Sequence, residues 1–181
     1  LMVVALESSR APDYGRLKEY APFSFTTEET GGIIGNGDIT MDWIVQVLKR
    51  TVDTQYRTKA DRRHTFLAGS SMGGLMTLYG LLAYPEVFSR GAALSPSLWI
   101  DAEKVKAMIR HARVKRNTVL YMDYGALEFA DHPHSRSLFA EVSALLIEKR
   151  VLLNSRIVPR GTHCEASWEK QIPFFMKTLF E

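Results

Sequence analysis

Residues 65–75 read T-F-L-A-G-S-S-M-G-G-L, two adjacent serines with glycines on both sides. A serine hydroxyl is a poor nucleophile until a base takes its proton, so a catalytic serine must stand at an exposed bend that a base can reach. Gly69-Ser70-Ser71-Met72-Gly73 has the spacing G-x-S-x-G, with an apolar stretch before it and a helical pattern after it. Strand, sharp turn with serine at its tip, and helix together make a nucleophile elbow. The pattern centres on Ser71 and leaves Ser70 to pack or bond locally. In so tight a bend, side chains two positions before and after the serine would meet neighbouring backbone, which predicts glycine at 69 and 73. The Met72 amide, at the positive end of the following helix, is the expected donor to an oxyanion. With glycine at about 7% of residues, chance alone would place the bare pattern in roughly one such chain in twenty. The flanking strand and helix make the signal much more specific.

An elbow requires partners, which follow the serine in the order acid, then histidine, each after a later strand. His163, in R-G-T-H-C just after the last strand-like run, is the expected base, with Gly161 permitting a tight turn. His64 precedes its strand and sits at the wrong edge, His111 falls in a basic helix, and His132 and His134 lie in a polar loop. The acid must hold the imidazole tautomer and stabilise the imidazolium. Glu128, Asp123 and Asp131 all follow the fourth strand. Glu128 is preferred because it lies beyond the Gly125 turn, on a loop able to reach His163. Asp123, still at the strand end, suits a brace, and a Ser-His dyad without an acid stays open.

The elements that must position these groups are legible as alternating patterns. Residues 1–6 (LMVVAL) form a continuous apolar run typical of a strand covered on both faces. Residues 7–37 carry Pro12, Pro22 and five glycines and read as a long surface connection. Helical spacing covers 38–54, with Asp38 or Thr40 placed to cap it. Strands are predicted at 64–68, 91–94, 118–122 and 154–158, and helices at 72–84, 101–113 and 135–150. A last helix spans 167–180, kinked at Pro173. Strands alternating with helices predict an α/β chain with a mostly parallel sheet and helices on both faces.

The bulk properties agree with one domain over 1–181. The 181 residues are 46% apolar and 24% charged, with a net charge of +3. That composition excludes a disordered or fibrous chain. No apolar run approaches the roughly 20 residues of a membrane helix. The basic stretch 104–116 lacks interleaved aromatics, so it reads as a solvated helix face and not a nucleic-acid patch. Cys164 is the single cysteine. It cannot form an internal disulfide, which slightly favours the cytoplasm over the periplasm or secretion. The tract Asp131-His132-Pro133-His134 lacks the separated ligands of a closed metal site, so no metal is expected.

Several blocks follow one another in a single register: R-L-K-E-Y-A-P-F at 16–23, the glycine loop at 31–37, Y-R-T-K at 56–59, G-S-S-M-G-G at 69–74, Y-P-E-V-F at 84–88, L-S-P-S-L-W at 94–99, D-Y-G-A-L-E at 123–128 and G-T-H-C-E-A-S-W at 161–168. Through them the chain resembles the putative esterase family of α/β-hydrolases, which includes enterochelin (siderophore) esterases and feruloyl and other carbohydrate esterases. The resemblance implies an α/β-hydrolase fold, with Ser71 as nucleophile, His163 as base and Glu128 as acid. It also implies Arg16, Tyr20, Trp99 and Trp168 beside the substrate, and no cofactor. The implied activity is serine carboxylic-ester hydrolysis through an acyl-enzyme, on a siderophore-type or acylated-sugar ester. A thioesterase or S-formylglutathione-hydrolase-like reaction would use the same groups, and a non-catalytic binding protein could retain the elbow as structure. The expected partner is thus a small ester, with neither nucleic acid nor membrane; a homodimer stays open.

Two features depart from the family pattern. Phe23 stands where the family has tryptophan. The family also carries about three strands, about 60 to 100 residues at typical unit sizes, ahead of the LMVVAL equivalent. The expectation is therefore an N-terminally incomplete domain, lacking the loop that donates the second oxyanion amide.

Overall fold

A computed structural model describes the chain except for residues 132 and 133 and the side chain of Asp131. Ahead of the elbow the chain builds a cover. Residues 1–11 take up no regular structure, and α1 (Gly15–Tyr20) then leads to a small antiparallel hairpin of β1 (Phe25–Thr27) and β2 (Gly31–Ile33). One long helix follows, made of α2 (Gly37–Trp43), a π-helical stretch at Ile44–Leu48, and α3 (Lys49–Gln55). Alternation then begins with β3 (Phe66–Ser70), α4 (Met72–Ala83), β4 (Arg90–Leu94) and α5 (Ala102–His111). It continues through β5 (Val119–Gly125), α6 (Glu128–Asp131), α7 (His134–Glu148) and β6 (Leu152–Val158), and α8 (Glu165–Glu169) and α9 (Ile172–Phe180) come last.

Strands β3 to β6 form one parallel sheet in the order β3-β4-β5-β6. Successive side chains on a strand point to opposite faces. Leu120 and Met122 of β5 accordingly join a core with Leu78 of α4, Val105 of α5 and Val142 of α7, while Tyr121 lies in a second cluster with Leu94 and with Leu179 of α9. Helices therefore cover both faces, as the alternating pattern predicts. Each fully buried leucine or isoleucine in these layers contributes about 2 kcal/mol of transfer free energy. The register sets the site: Ser70 pairs with Leu94, and Leu94 with Asp123. Ser71, Ser95 and the end of β5 thus emerge side by side at the C-terminal edge of the sheet.

Four expectations fail, each for a local reason. The LMVVAL run is not a strand: Leu1 is 88% and Val3 78% exposed, and the run makes no ladder. A strand exists only through hydrogen bonds to a neighbour, and no described strand stands between this run and the free edge of β3. Leu1, Val4 and Leu6 instead line a groove of about 720 Å³ with Ile44, Leu48 and Phe66. The stretch 7–37 is not one irregular connection, since it holds α1 and the hairpin, whose turn uses Gly31 at φ 63°. The helix beginning at Gly37 is not capped by either candidate; Asn36 is the cap residue, and the Thr40 hydroxyl donates to the Glu19 carbonyl, tying this helix to α1. Pro173 kinks nothing, because it stands in the first turn of α9, where its missing N–H has no partner to lose.

Asp101 caps α5 by accepting from the Lys104 amide at 3.0 Å. Asp101→Ala is expected to cost about 1 kcal/mol, read as a lower midpoint in urea with an unchanged slope.

Candidate active site

Ser71 sits at φ 57° and ψ −122°, a conformation that costs a non-glycine residue about 1–3 kcal/mol and persists only where the surroundings impose it. They do so here. The Ser71 amide donates to the Leu94 carbonyl at 2.9 Å, and its carbonyl accepts from the Leu75 and Ser97 amides, each at 3.1 Å. A Cβ at Gly69 would lie 2.5 Å from the Gly73 carbonyl oxygen, so only hydrogen fits there. The predicted need at Gly73 is corrected: a Cβ at that position meets nothing within 4 Å, and the second tight approach belongs to Gly74, 3.0 Å from the Leu94 oxygen and from Pro96. Gly73 supplies the backbone that Gly69 must clear. Met72, buried, is the first residue of α4. Its N–H therefore has no acceptor within the helix.

Two loops bring an imidazole and a carboxylate to this turn. The Ala126 amide donates to the Val158 carbonyl at 2.9 Å and the Leu127 amide to the Gly161 carbonyl at 3.0 Å, clamping the chain after β5 to the chain after β6. The clamp closes because Gly125 and Gly161 lie back to back: a Cβ on Gly125 would fall 2.4 Å from the Gly161 carbonyl group. Gly161 is thus required for close approach, while the left-handed residue of its turn is Arg160, at φ 58°. Ser71 Oγ lies 3.0 Å from His163 Nε2, and His163 Nδ1 lies 2.7 Å from Glu128 Oε2. With the proton on Nδ1, Nε2 presents a lone pair to the Ser71 hydroxyl, the geometry of general-base activation. His163 is 43% exposed at its side chain, whereas that of Glu128 is 5% exposed. The imidazole is open to solvent and its carboxylate partner is not.

The two buried carboxylates have opposite electrostatics. Burial alone would raise Glu128, but hydrogen bonds from His163, the Ser95 hydroxyl and the Gly125 amide outweigh it and hold the carboxyl below its ordinary value. Asp123 accepts from the Tyr121 hydroxyl at 2.8 Å and the Ser95 amide at 3.2 Å, and burial pushes its pKa up to about 6. Between pH 4 and 6 the folded chain therefore holds a proton at Asp123 that the unfolded chain has released, so this residue's contribution to stability declines as pH rises through that window. Asp123→Asn abolishes this dependence. Relative to wild type, the variant is expected to gain on the order of 2 kcal/mol of unfolding free energy between pH 4 and pH 7, measured by urea denaturation at each pH.

The remaining residues named from sequence fall in different places. Arg16 Nη2 donates to the Ser70 carbonyl at 3.4 Å and lies over the Tyr20 ring, which places both beside the elbow. The Trp168 ring meets the imidazole of His163 edge to face, with centroids 4.9 Å apart. Trp99, 47% exposed, lines a shallow depression with Lys106, His134 and Glu141. His64 pairs with Asp61, and His111 Nδ1 stands against the Ala107 carbonyl. Of the Asp131–His134 tract, residues 132 and 133 and the Asp131 side chain lie outside the described residues; no group of three possible metal ligands occurs among the described residues. None of the described helices is long and apolar enough to cross a membrane.

Two residues escape sequence reasoning, Ser95 and Ser97. Ser97 Oγ lies 3.4 Å from Ser71 Oγ, and Ser95 is buried at φ 41°, bonded to Glu128 and Trp168. Their only signal in the sequence is the L-S-P-S-L-W block, which marks a position after β4 without saying what its serines touch.

Residues 19–176 match the family model described as "Putative esterase". The chain belongs to this family. Among solved structures, the BES protein from Bacillus cereus superposes with a TM-score of 0.73 at 17% identity, covering 90% of this chain and 62% of that one. An IroE-like serine hydrolase from Shewanella oneidensis gives 0.72 at 19%, covering 91% and 55%. The enterobactin esterase FES from Shigella flexneri gives 0.60 at 23%, covering 80% and 38%. These likenesses establish the fold, that of α/β-hydrolase esterases, and this esterase-family chain spans less than two thirds of each of the three proteins. No curated protein sequence matches it.

Proposed function

We propose that residues 1–181 form one catalytic domain that hydrolyses carboxylic esters with Ser71 as nucleophile, His163 as general base and Glu128 as the acid of a triad. The observation that carries this reading is the unbroken run of hydrogen bonds from Ser71 Oγ through the imidazole to Glu128, at 3.0 and 2.7 Å, with the serine on a strained turn. In the first half-reaction Ser71 Oγ bonds to the acyl carbon while its proton passes to His163 Nε2. The carbonyl π electrons become an oxyanion facing the Met72 N–H. The C–O bond to the alcohol then breaks and the leaving oxygen takes the proton from Nε2. Water repeats the sequence on the acyl-enzyme, releasing the acid and restoring Ser71.

The substrate class we infer is a siderophore-type or acylated-sugar ester. Similar folds include a siderophore hydrolase from Aspergillus nidulans and a ferulic acid esterase, at 20% and 15% identity. Arg16 and Tyr20, beside the elbow, are the groups we assign to the substrate's polar part, with Trp168 as an apolar wall.

The test is a fluorophosphonate probe followed by peptide mass mapping, with a panel of p-nitrophenyl acetate, siderophore esters, acylated sugars and thioesters. A phosphonyl adduct on Ser71 and turnover of oxygen esters are expected. A folded chain that neither labels at Ser71 nor hydrolyses any ester would overturn the reading in favour of a binding protein, and preferential thioester turnover would replace the substrate class.

A further inference from the structure

Four donors and acceptors behind His163 form a chain whose direction is set at its far end. The Trp168 indole Nε1–H lies 2.9 Å from Ser95 Oγ, which lies 2.7 Å from Glu128 Oε1. Glu128 Oε1 also accepts from the Gly125 amide at 2.8 Å, and Oε2 faces His163 Nδ1. An indole nitrogen can only donate. Ser95 Oγ must therefore accept from it, and the single hydroxyl proton is left for Glu128. Oε1 then receives two donors, which favour the ionised carboxyl over the acid, so Oε2 faces His163 as a carboxylate oxygen. A carboxylate can only accept, which places the imidazole proton on Nδ1 and the lone pair of Nε2 toward Ser71.

The position of Ser95 is itself imposed from three sides. Its φ of 41° is a left-handed conformation, its amide donates to the Asp123 carbonyl at 3.0 Å, and it is buried. Trp168 contributes a second restraint, since the ring whose N–H meets Ser95 also stands edge to face against the imidazole. One indole thus meets the imidazole directly and reaches Glu128 through Ser95.

Building on the hydrolase reading above, we infer that Ser95 and Trp168 are positioning residues which polarise Glu128 as an acceptor and so select the His163 tautomer that activates Ser71. Neither touches the reacting atoms in this role; both act through Glu128 and His163.

The experiment compares wild type with Ser95→Gly and Trp168→Phe. Glycine tolerates the left-handed backbone at 95, so the first variant removes the hydroxyl without straining the fold. The second keeps an aromatic edge at the imidazole and removes the N–H. Loss of a hydrogen bond to a charged group predicts a kcat about tenfold lower in Ser95→Gly, with KM changed less than about twofold. Because a carboxylate with one donor fewer is more basic, the acidic limb of the pH profile of kcat/KM is expected to move up by about 0.5 units. Trp168→Phe is expected to move that limb in the same direction with about a threefold loss in kcat. A low-field Nδ1 proton resonance of His163 is expected in wild type and should weaken or shift in Ser95→Gly. A purely structural role would lower thermal stability and leave the pH limb and the resonance in place, and that result in both variants would overturn the inference. If wild-type Ser71 takes up no fluorophosphonate, the hydrolase reading fails, and this one with it.

Discussion

Alanine at position 71 is expected to lower ester hydrolysis on the order of 10⁴-fold or more while leaving the fold intact. The expectation of unchanged stability is specific. The Ser71 side chain makes no capping bond to α4, and alanine adopts the same positive φ at much the same cost as serine. The hydroxyl's closest polar neighbours are His163 Nε2 and, at 3.4 Å, Ser97 Oγ; the His163 side chain is open enough for solvent to take the hydroxyl's place, and buried Ser97 loses only that long contact. The thermal midpoint is expected to stay within about 2 °C of wild type, a shift below about 0.5 kcal/mol. His163→Ala is expected to be comparably inactive, and the double variant no worse than either single one, because nucleophile and base act as a unit. Steady-state rates on p-nitrophenyl acetate, together with melting curves, check all three. Additive losses in the double variant would show that the two side chains do not act together.

The second large effect lies away from the reacting atoms. Gly125→Ala is expected to cost about 3 kcal/mol or more and to lower kcat/KM by about 100-fold even in the fraction that folds. The added methyl would stand 2.4 Å from the Gly161 carbonyl group and 2.7 Å from Glu128 Oε1. The Gly161 carbonyl is backbone and cannot rotate away as a flexible side chain could. The loops after β5 and β6 must part, and those loops carry Glu128 and His163 respectively. Chemical denaturation measures the first effect, and kinetics at a temperature well below the midpoint the second. An alanine variant with wild-type stability and rate would mean that the back-to-back glycines are incidental.

The groups we propose for the chemistry stand out in the spacing because the elbow is a local device. Strand, glycine, serine and helix are contiguous, so the sterics of one turn write themselves into five adjacent positions. His163 and Glu128 stand out as candidates for a related reason, since parallel strands deliver their C-terminal ends to one edge, and any residue just after a strand is a candidate for that edge. The preference for Glu128 over Asp123 rests on the Gly125 turn, and the register gives its physical reason: Asp123 is the last residue to pair with both neighbours, opposite Leu94 and Arg156, and its carboxylate turns inward to Tyr121. Glu128, three residues beyond Gly125, clears the sheet. The LMVVAL run shows the opposite limit, because apolar content reports a wish to be buried and not the presence of a hydrogen-bonding neighbour.

Ser95 marks where sequence reasoning stops. Nothing in its type or local spacing connects it to Glu128, 33 positions later, or to Trp168, 73 positions later. Residue identity and periodicity were enough to determine the alternation of strands and helices that builds the parallel sheet, and which side chains are candidates to exchange a proton. Which of them meet, and in which direction each hydrogen bond runs, depended on contacts between segments far apart in the chain. Such contacts are set by sheet register and by the meeting of two glycines, Gly125 and Gly161, whose types are local signals but whose approach to each other is not.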